Sequence, residues 1–237
     1  MSRTVRQALA EFLGSAGLVT VVIGSGIAAQ RLSPDDVGLQ LLENTLATGA
    51  GLVALILAFG PVSGGHFNPV VTLADRFFGG LTNRQVAVYL PAQLIGGAVG
   101  AVVANRMFDL PAVSVSTTDR SSGGLWLSEA VATFGLVVLI FALVRAGRVV
   151  QAPFAVGAYI TAAYWWSSST SFANPMIDLA RTLSDTFAGI SPASVPMFLV
   201  MQLVGGAAGV AVVAVLYPMV SDVAENVVVP HEARETP

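Results

Sequence analysis

Two Asn-Pro pairs, Asn68-Pro69 and Asn174-Pro175, are the residues of this 237-residue chain whose type and spacing point to chemistry. Asn is a good helix N-cap and Pro suits the first helical position, so each pair predicts the start of a helix. An Asn amide carries two N–H donors, which suit the oxygen of a passing neutral molecule. A helix start also presents the positive end of a dipole. If both starts meet near the middle of a membrane, the site repels cations and admits small hydroxylated neutral solutes. A single Asn-Pro is only a turn or a helix start; the duplication gives the pair its weight.

Little else in the chain offers reactive chemistry. Cys is absent, so there is no disulfide framework, thiolate metal site or thiol nucleophile. The two His, His66 and His231, have no evident metal or catalytic partner, and no credible Ser/His pair or metal set supports an enzyme or a bound cofactor. The 11 basic residues are all Arg and the net charge is -3, which offers no basic field for nucleic acid. Glu11 and Glu129 lie inside apolar runs, where an ionisable group suggests either ion handling or a buried polar network.

The elements that must position these residues belong to a membrane protein. Hydrophobic residues make up 54% of the chain and charged ones 11%, against roughly 25% charged in soluble domains. The mean hydropathy of +0.75 agrees. About six runs are long enough to span a bilayer as helices. They extend from Val5 to Ala28, Gln40 to Gly60, Arg84 to Met107, Gly124 to Val144, Val149 to Ser168 and Val195 to Val220. Two shorter apolar segments begin at Asn68 and Asn174 and read as re-entrant half-helices. Arg3 and Arg6 before the first run, with Ala28 and Ala29 after it, also fit a signal peptide, but Glu11 and five further spans favour an uncleaved helix. Arg3, Arg6, Arg76, Arg84, Arg145 and Arg148 fall on one side and predict cytoplasmic termini in a multi-pass cell (inner) membrane protein. The opposite loops hold Arg31, Arg106, Arg120 and Arg181.

The chain repeats itself. Glu11-Phe12-Leu13-Gly14 answers Glu129 onward, His66-Phe67-Asn68-Pro69-Val70 answers Phe172-Ala173-Asn174-Pro175-Met176, and Gln93-Leu94-Ile95-Gly96-Gly97 answers Gln202-Leu203-Val204-Gly205-Gly206. Three spans per repeat is an odd number, so the halves must enter the membrane from opposite sides. One channel-like domain over residues 1–220 is expected, with repeats at about 5–110 and 124–220, then a polar tail, 221–237, expected to be disordered. Gln93 and Gln202 suit interhelical polar contacts.

Ser63-Gly64-Gly65-His66-Phe67-Asn68-Pro69-Val70, Asn174-Pro175-Met176 and the paired Glu11 and Glu129 resemble the aquaporin and aquaglyceroporin (major intrinsic protein) family over nearly the whole chain. The resemblance implies an all-α membrane protein with the aquaporin fold: six transmembrane helices, two re-entrant half-helices and an inverted 3+3 repeat. It also implies one pore per subunit and a homotetramer. Both Asn-Pro-Ala boxes of the family are altered here, to Asn-Pro-Val and Asn-Pro-Met, which bears on packing between the half-helices. The resemblance makes Glu11 and Glu129 acceptors for backbone N–H groups of the loop before each half-helix, with His66 bracing the same loop.

The family's selectivity filter takes one residue from span two, one from span five and two from the second Asn-Pro loop. Spacing from Asn68 and Asn174 puts Thr48, Ser171 and Ile177 at three of these positions. The fourth is Tyr164 counted from Gly157, or Ala162 counted back from Asn174. Ile177 stands where the family has Arg, so the filter is expected to be wider and more apolar. Arg181 and Asp178 suit an i, i+3 helix pair, with a displaced filter cation as the other reading of Arg181. The runs from Ser171 to Pro175 and Ala180 to Ile190 also resemble a bacterial subgroup associated with arsenic resistance, which implies passage of arsenous acid or methylated arsenicals beside glycerol and water. The partners implied are small neutral solutes and the lipid bilayer. The competing readings are a secondary transporter, which inverted repeats also build, and a mainly water-conducting channel.

Overall fold

The computed structural model describes residues 1–218, and the 221–237 tail lies outside the described residues. Eight α-helices follow one another: α1 (Arg3–Leu32), α2 (Val37–Ser63), α3 (Pro69–Phe78), α4 (Asn83–Met107), α5 (Gly123–Arg145), α6 (Ala152–Trp166), α7 (Pro175–Arg181) and α8 (Val195–Leu216). No strand occurs among the described residues. Five of these, α1, α2, α4, α5 and α8, are long and apolar enough to cross a membrane. The segment expected from Val149 to Ser168 divides into a 3-10 turn, Val149–Gln151, and a 15-residue α6. At 1.5 Å per residue α6 spans only about 22 Å. Pro153 near its start limits extension of the helix in that direction. The last span ends at Leu216 rather than Val220.

Local chemistry sets most boundaries. Asp36, Thr82 and Ser122 cap α2, α4 and α5 by accepting backbone N–H groups, and Thr82 with Gln85 completes a capping box. Gly64 and Gly79 stop α2 and α3 in the left-handed region, where glycine has no side chain to clash.

The two halves pack by the same rule. In the first, α1 crosses α4 so closely that a Cβ on Gly96 or Gly100 would lie 2.3 Å from the carbonyl oxygen of Phe12 or Ala16. In the second, a Cβ on Gly205 or Gly209 of α8 would lie 2.1 or 3.0 Å from the Ala130 or Phe134 carbonyl oxygen of α5. A third close crossing joins α2 to α6, where a Cβ on Gly49 would overlap the Thr161 side chain. These contacts enclose α3 and α7, whose residues from Pro69 to Thr72 and from Pro175 to Asp178 are all buried. Leu57, Ile95, Leu127, Val200 and Leu203 face outward instead, as lipid contact requires.

Candidate functional site

The starts of α3 and α7 meet at the centre of the molecule. Asn68 caps α3 by accepting the Val70 N–H at 2.9 Å, and Asn174 caps α7 by accepting the Met176 N–H at 3.0 Å. Each amide then reaches the opposite loop: Asn68 Nδ2 donates to the Ala173 carbonyl and Asn174 Nδ2 donates to the Phe67 carbonyl, both at 2.8 Å. One N–H of each amide is thereby fixed, and the second is left for a molecule in the cavity that both Asn line.

The loops that deliver these residues are strained. Phe67, Thr170, Ser171 and Ala173 all have positive φ, between 46° and 63°, although none is glycine. Such backbone persists only where its surroundings over-determine it. The buried carboxylates do this. Glu11 accepts the His66 and Phe67 N–H groups at 3.0 and 2.8 Å, together with the Ser63 hydroxyl at 2.6 Å and the Gln93 amide at 2.7 Å. Glu129 accepts the Phe172 and Ala173 N–H groups at 2.9 and 2.8 Å and the Gln202 amide at 2.6 Å. Each carboxylate thus accepts from the two N–H groups that precede its half-helix start. Gln93 also donates to Thr72 and Gln202 to Asp178, each four residues beyond its Asn. His66 shares a hydrogen bond between Nδ1 and Thr72 Oγ1 at 3.1 Å, sits edge-on to Tyr89, and brings Nε2 within 3.6 Å of Asp75.

A cavity of about 60 Å³ runs beside the two Asn. Thr48 of α2, Tyr164 of α6, Ser171 and Ile177 all line it, and Ala162 does not. The Tyr164 hydroxyl donates to Thr48 across a long 3.4 Å. Its lining is polar at His66, the Asn pair, Ser171 and Arg181 and aliphatic at Val22, Ile56, Ile140 and Ile160. A lining that mixes a few donors with aliphatic side chains suits solutes that carry hydroxyls on a compact body.

The expected Asp178–Arg181 pair does not form. Asp178 turns to Gln202 on α8, whereas Arg181 donates through Nε to the Ala188 carbonyl and stacks on the Phe172 ring. Arg181 therefore lines the cavity, and Asp178 does not. Spacing along the helix allowed the pair, but hydrogen bonds from neighbouring elements claim both side chains. The altered boxes also find a physical account. Val70 packs on Gly206 of α8 and Met176 on Gly97 of α4, where a Cβ would lie 2.4 and 2.5 Å from those side chains. The larger third residues are thus accommodated by glycine notches. Sequence reasoning did not assign Val71, which lines the cavity three residues after Asn68 just as Ile177 does after Asn174. Carrying each position across the internal repeat finds it.

Known proteins share this plan. The sequence model of the family described as Major intrinsic protein matches residues 1–184. Aquaglyceroporin AqpS of Rhizobium meliloti (strain 1021) is 48% identical over 206 residues, covering 87% of this chain and 88% of that protein. Aquaporin-2 of Rhizopus delemar is 35% identical over 109 residues, 46% of this chain and 33% of that one. Among solved structures, the aquaglyceroporin from Plasmodium falciparum matches with a TM-score of 0.70 over 92% of this chain and 98% of that one, a likeness of fold at 21% identity.

Proposed function

Because the chain belongs to the major intrinsic protein family, whose members are membrane channels and not enzymes, we propose that it conducts small uncharged solutes passively through a filter made by Thr48, Tyr164, Ser171 and Ile177. The solutes are polyols such as glycerol, neutral metalloid hydroxides such as arsenous acid, methylated arsenicals, and water. The observation that carries this reading is the crossed pair of Asn amides, each fixed by the opposite loop and each with a remaining donor beside a cavity lined largely by aliphatic side chains. Arsenous acid is uncharged at neutral pH and presents hydroxyls much as glycerol does, so one arrangement of donors serves both. Ile177 contributes bulk without charge where family members have Arg, and Thr48 is small, so the aperture is wide and its floor apolar. A secondary transporter would need a cluster of coupling-ion ligands, whereas Glu11 and Glu129 accept from loop N–H groups and amides and Asp178 accepts from the Gln202 amide.

The Arg-rich face with Arg3, Arg76 and Arg148 is cytoplasmic, the membrane is the cell (inner) membrane, and the channel is a homotetramer with one pore per subunit. Light-scattering swelling of liposomes carrying the purified protein tests the function. Glycerol and arsenous acid should enter well above the rate of protein-free liposomes, with no dependence on a proton or sodium gradient. Entry at the protein-free rate for every solute, or gradient-driven accumulation, would sink the reading.

A further inference from the structure

Replacing an Arg by Ile177 ought to leave the cavity without a fixed cation, yet a guanidinium lines it all the same. Arg181, one helical turn further along α7, is buried and forms part of the cavity wall. Its Nε donates to the Ala188 carbonyl, and its guanidinium carbon lies 3.5 Å from the centroid of the Phe172 ring. Phe172 itself lines the cavity two residues before Asn174. A second guanidinium, Arg120, lies 5.2 Å from the same centroid and donates through Nε to the next carbonyl, Gly189, at 2.9 Å. One ring and two consecutive carbonyls therefore hold two cations side by side.

Among the described residues, neither cation is paired with a carboxylate at contact distance: neither guanidinium has a carboxylate oxygen within 4.0 Å. Asp178 and Glu129 act on Arg181 only from a distance, while Asp178 accepts from Gln202 and Glu129 from Gln202 and the loop. The carbonyls and the ring satisfy the guanidinium without cancelling its charge, and a fixed charge in a place of low dielectric acts strongly on an ion passing it. The terminal nitrogens of Arg181 make no hydrogen bond to protein among the described residues, which leaves donors for a hydroxylated solute.

We propose that Arg181, clamped by Ala188 and Phe172 and reinforced by Arg120, is the specificity-determining cation of this channel. It excludes protons and metal cations from the position where Ile177 no longer does so. Bulk and charge are separated along α7: Ile177 sets an uncharged aperture, and Arg181 sets the electrostatic barrier one turn away. This rests on the channel reading above.

The test uses the full chain in liposomes, with glycerol swelling and the flux of protons and potassium measured on the same preparations. In Arg181→Gln the ratio of proton and potassium flux to glycerol flux should rise about tenfold or more, as removal of a fixed positive charge from a pore implies. Arg181→Lys should keep the ions out, and Ile177→Arg combined with Arg181→Gln should restore exclusion. An Arg181→Gln protein whose ion-to-glycerol flux ratio matches the wild type overturns the proposal. If that variant does not fold, Arg181→Lys decides: the charge is kept, so the ion-to-glycerol flux ratio stays at the wild-type value. A Lys variant whose ratio rises overturns it. A wild-type protein that passes no glycerol fails the channel reading instead, whatever Arg181 does.

Discussion

Ile177 and Glu129 show how differently a single side chain can act in this molecule. Ile177 has no partner to lose, and its effect is the space and charge it withholds. Ile177→Arg should narrow and polarise the cavity, lowering entry of glycerol and arsenous acid several-fold more than that of water; swelling rates checked for each solute would count against the filter assignment if all fell together. Glu129 acts through what it accepts. Gln in its place offers one acceptor oxygen where the carboxylate uses two, so a buried N–H of Phe172 or Ala173 is left unsatisfied beside residues with positive φ. Glu129→Gln should lower stability by about 1–3 kcal/mol, the cost of a buried unpaired donor. A detergent melt like that of the wild type would argue that the loop is held by something else. Position by position the repeat is chemical only in part: Asp75 and Arg181 occupy the same step, seven residues beyond each Asn, with opposite charge.

Between elements, the glycine notches make the altered boxes legible. Val70 is β-branched and cannot swing away, so a methyl at Gly206 must push α3 from α8. Gly206→Ala should destabilise the protein by about 1–3 kcal/mol through overpacking, and Val70→Ala added to it should recover much of that loss. Thermal unfolding of the four proteins of that cycle checks it; additive losses would mean the two residues do not share a contact. The segment following α7 depends on a different brace. In the 108–122 connection the Ser114 and Ser116 N–H groups donate to the Leu183 and Thr182 carbonyls and the Thr118 carbonyl accepts the Ser191 N–H, and a Cβ on Gly189 would lie 2.2 Å from the Ser116 hydroxyl. That connection therefore fixes the carbonyls on which Arg181 and Arg120 rest.

For the whole molecule, a chain without Cys allows its topology to be read directly. Thr117 is exposed in the connection between α4 and α5, and Ser2 lies before α1 on the other face. A membrane-impermeant thiol reagent applied to intact cells should label Thr117→Cys and spare Ser2→Cys. The reverse pattern would invert the orientation drawn from the Arg residues. The amino-acid sequence by itself determined the number of apolar segments, the two re-entrant helix starts and the opposed entry of the two halves. Those follow from capping chemistry, segment length and an odd number of spans, which are local or countable. It did not determine which face of each helix turns inward. Tyr164 rather than Ala162, Arg181 towards Ala188 rather than Asp178, and Met176 into Gly97 were decided by tertiary packing, because a side chain's direction depends on the rotation of its helix and on neighbours that lie far away in sequence.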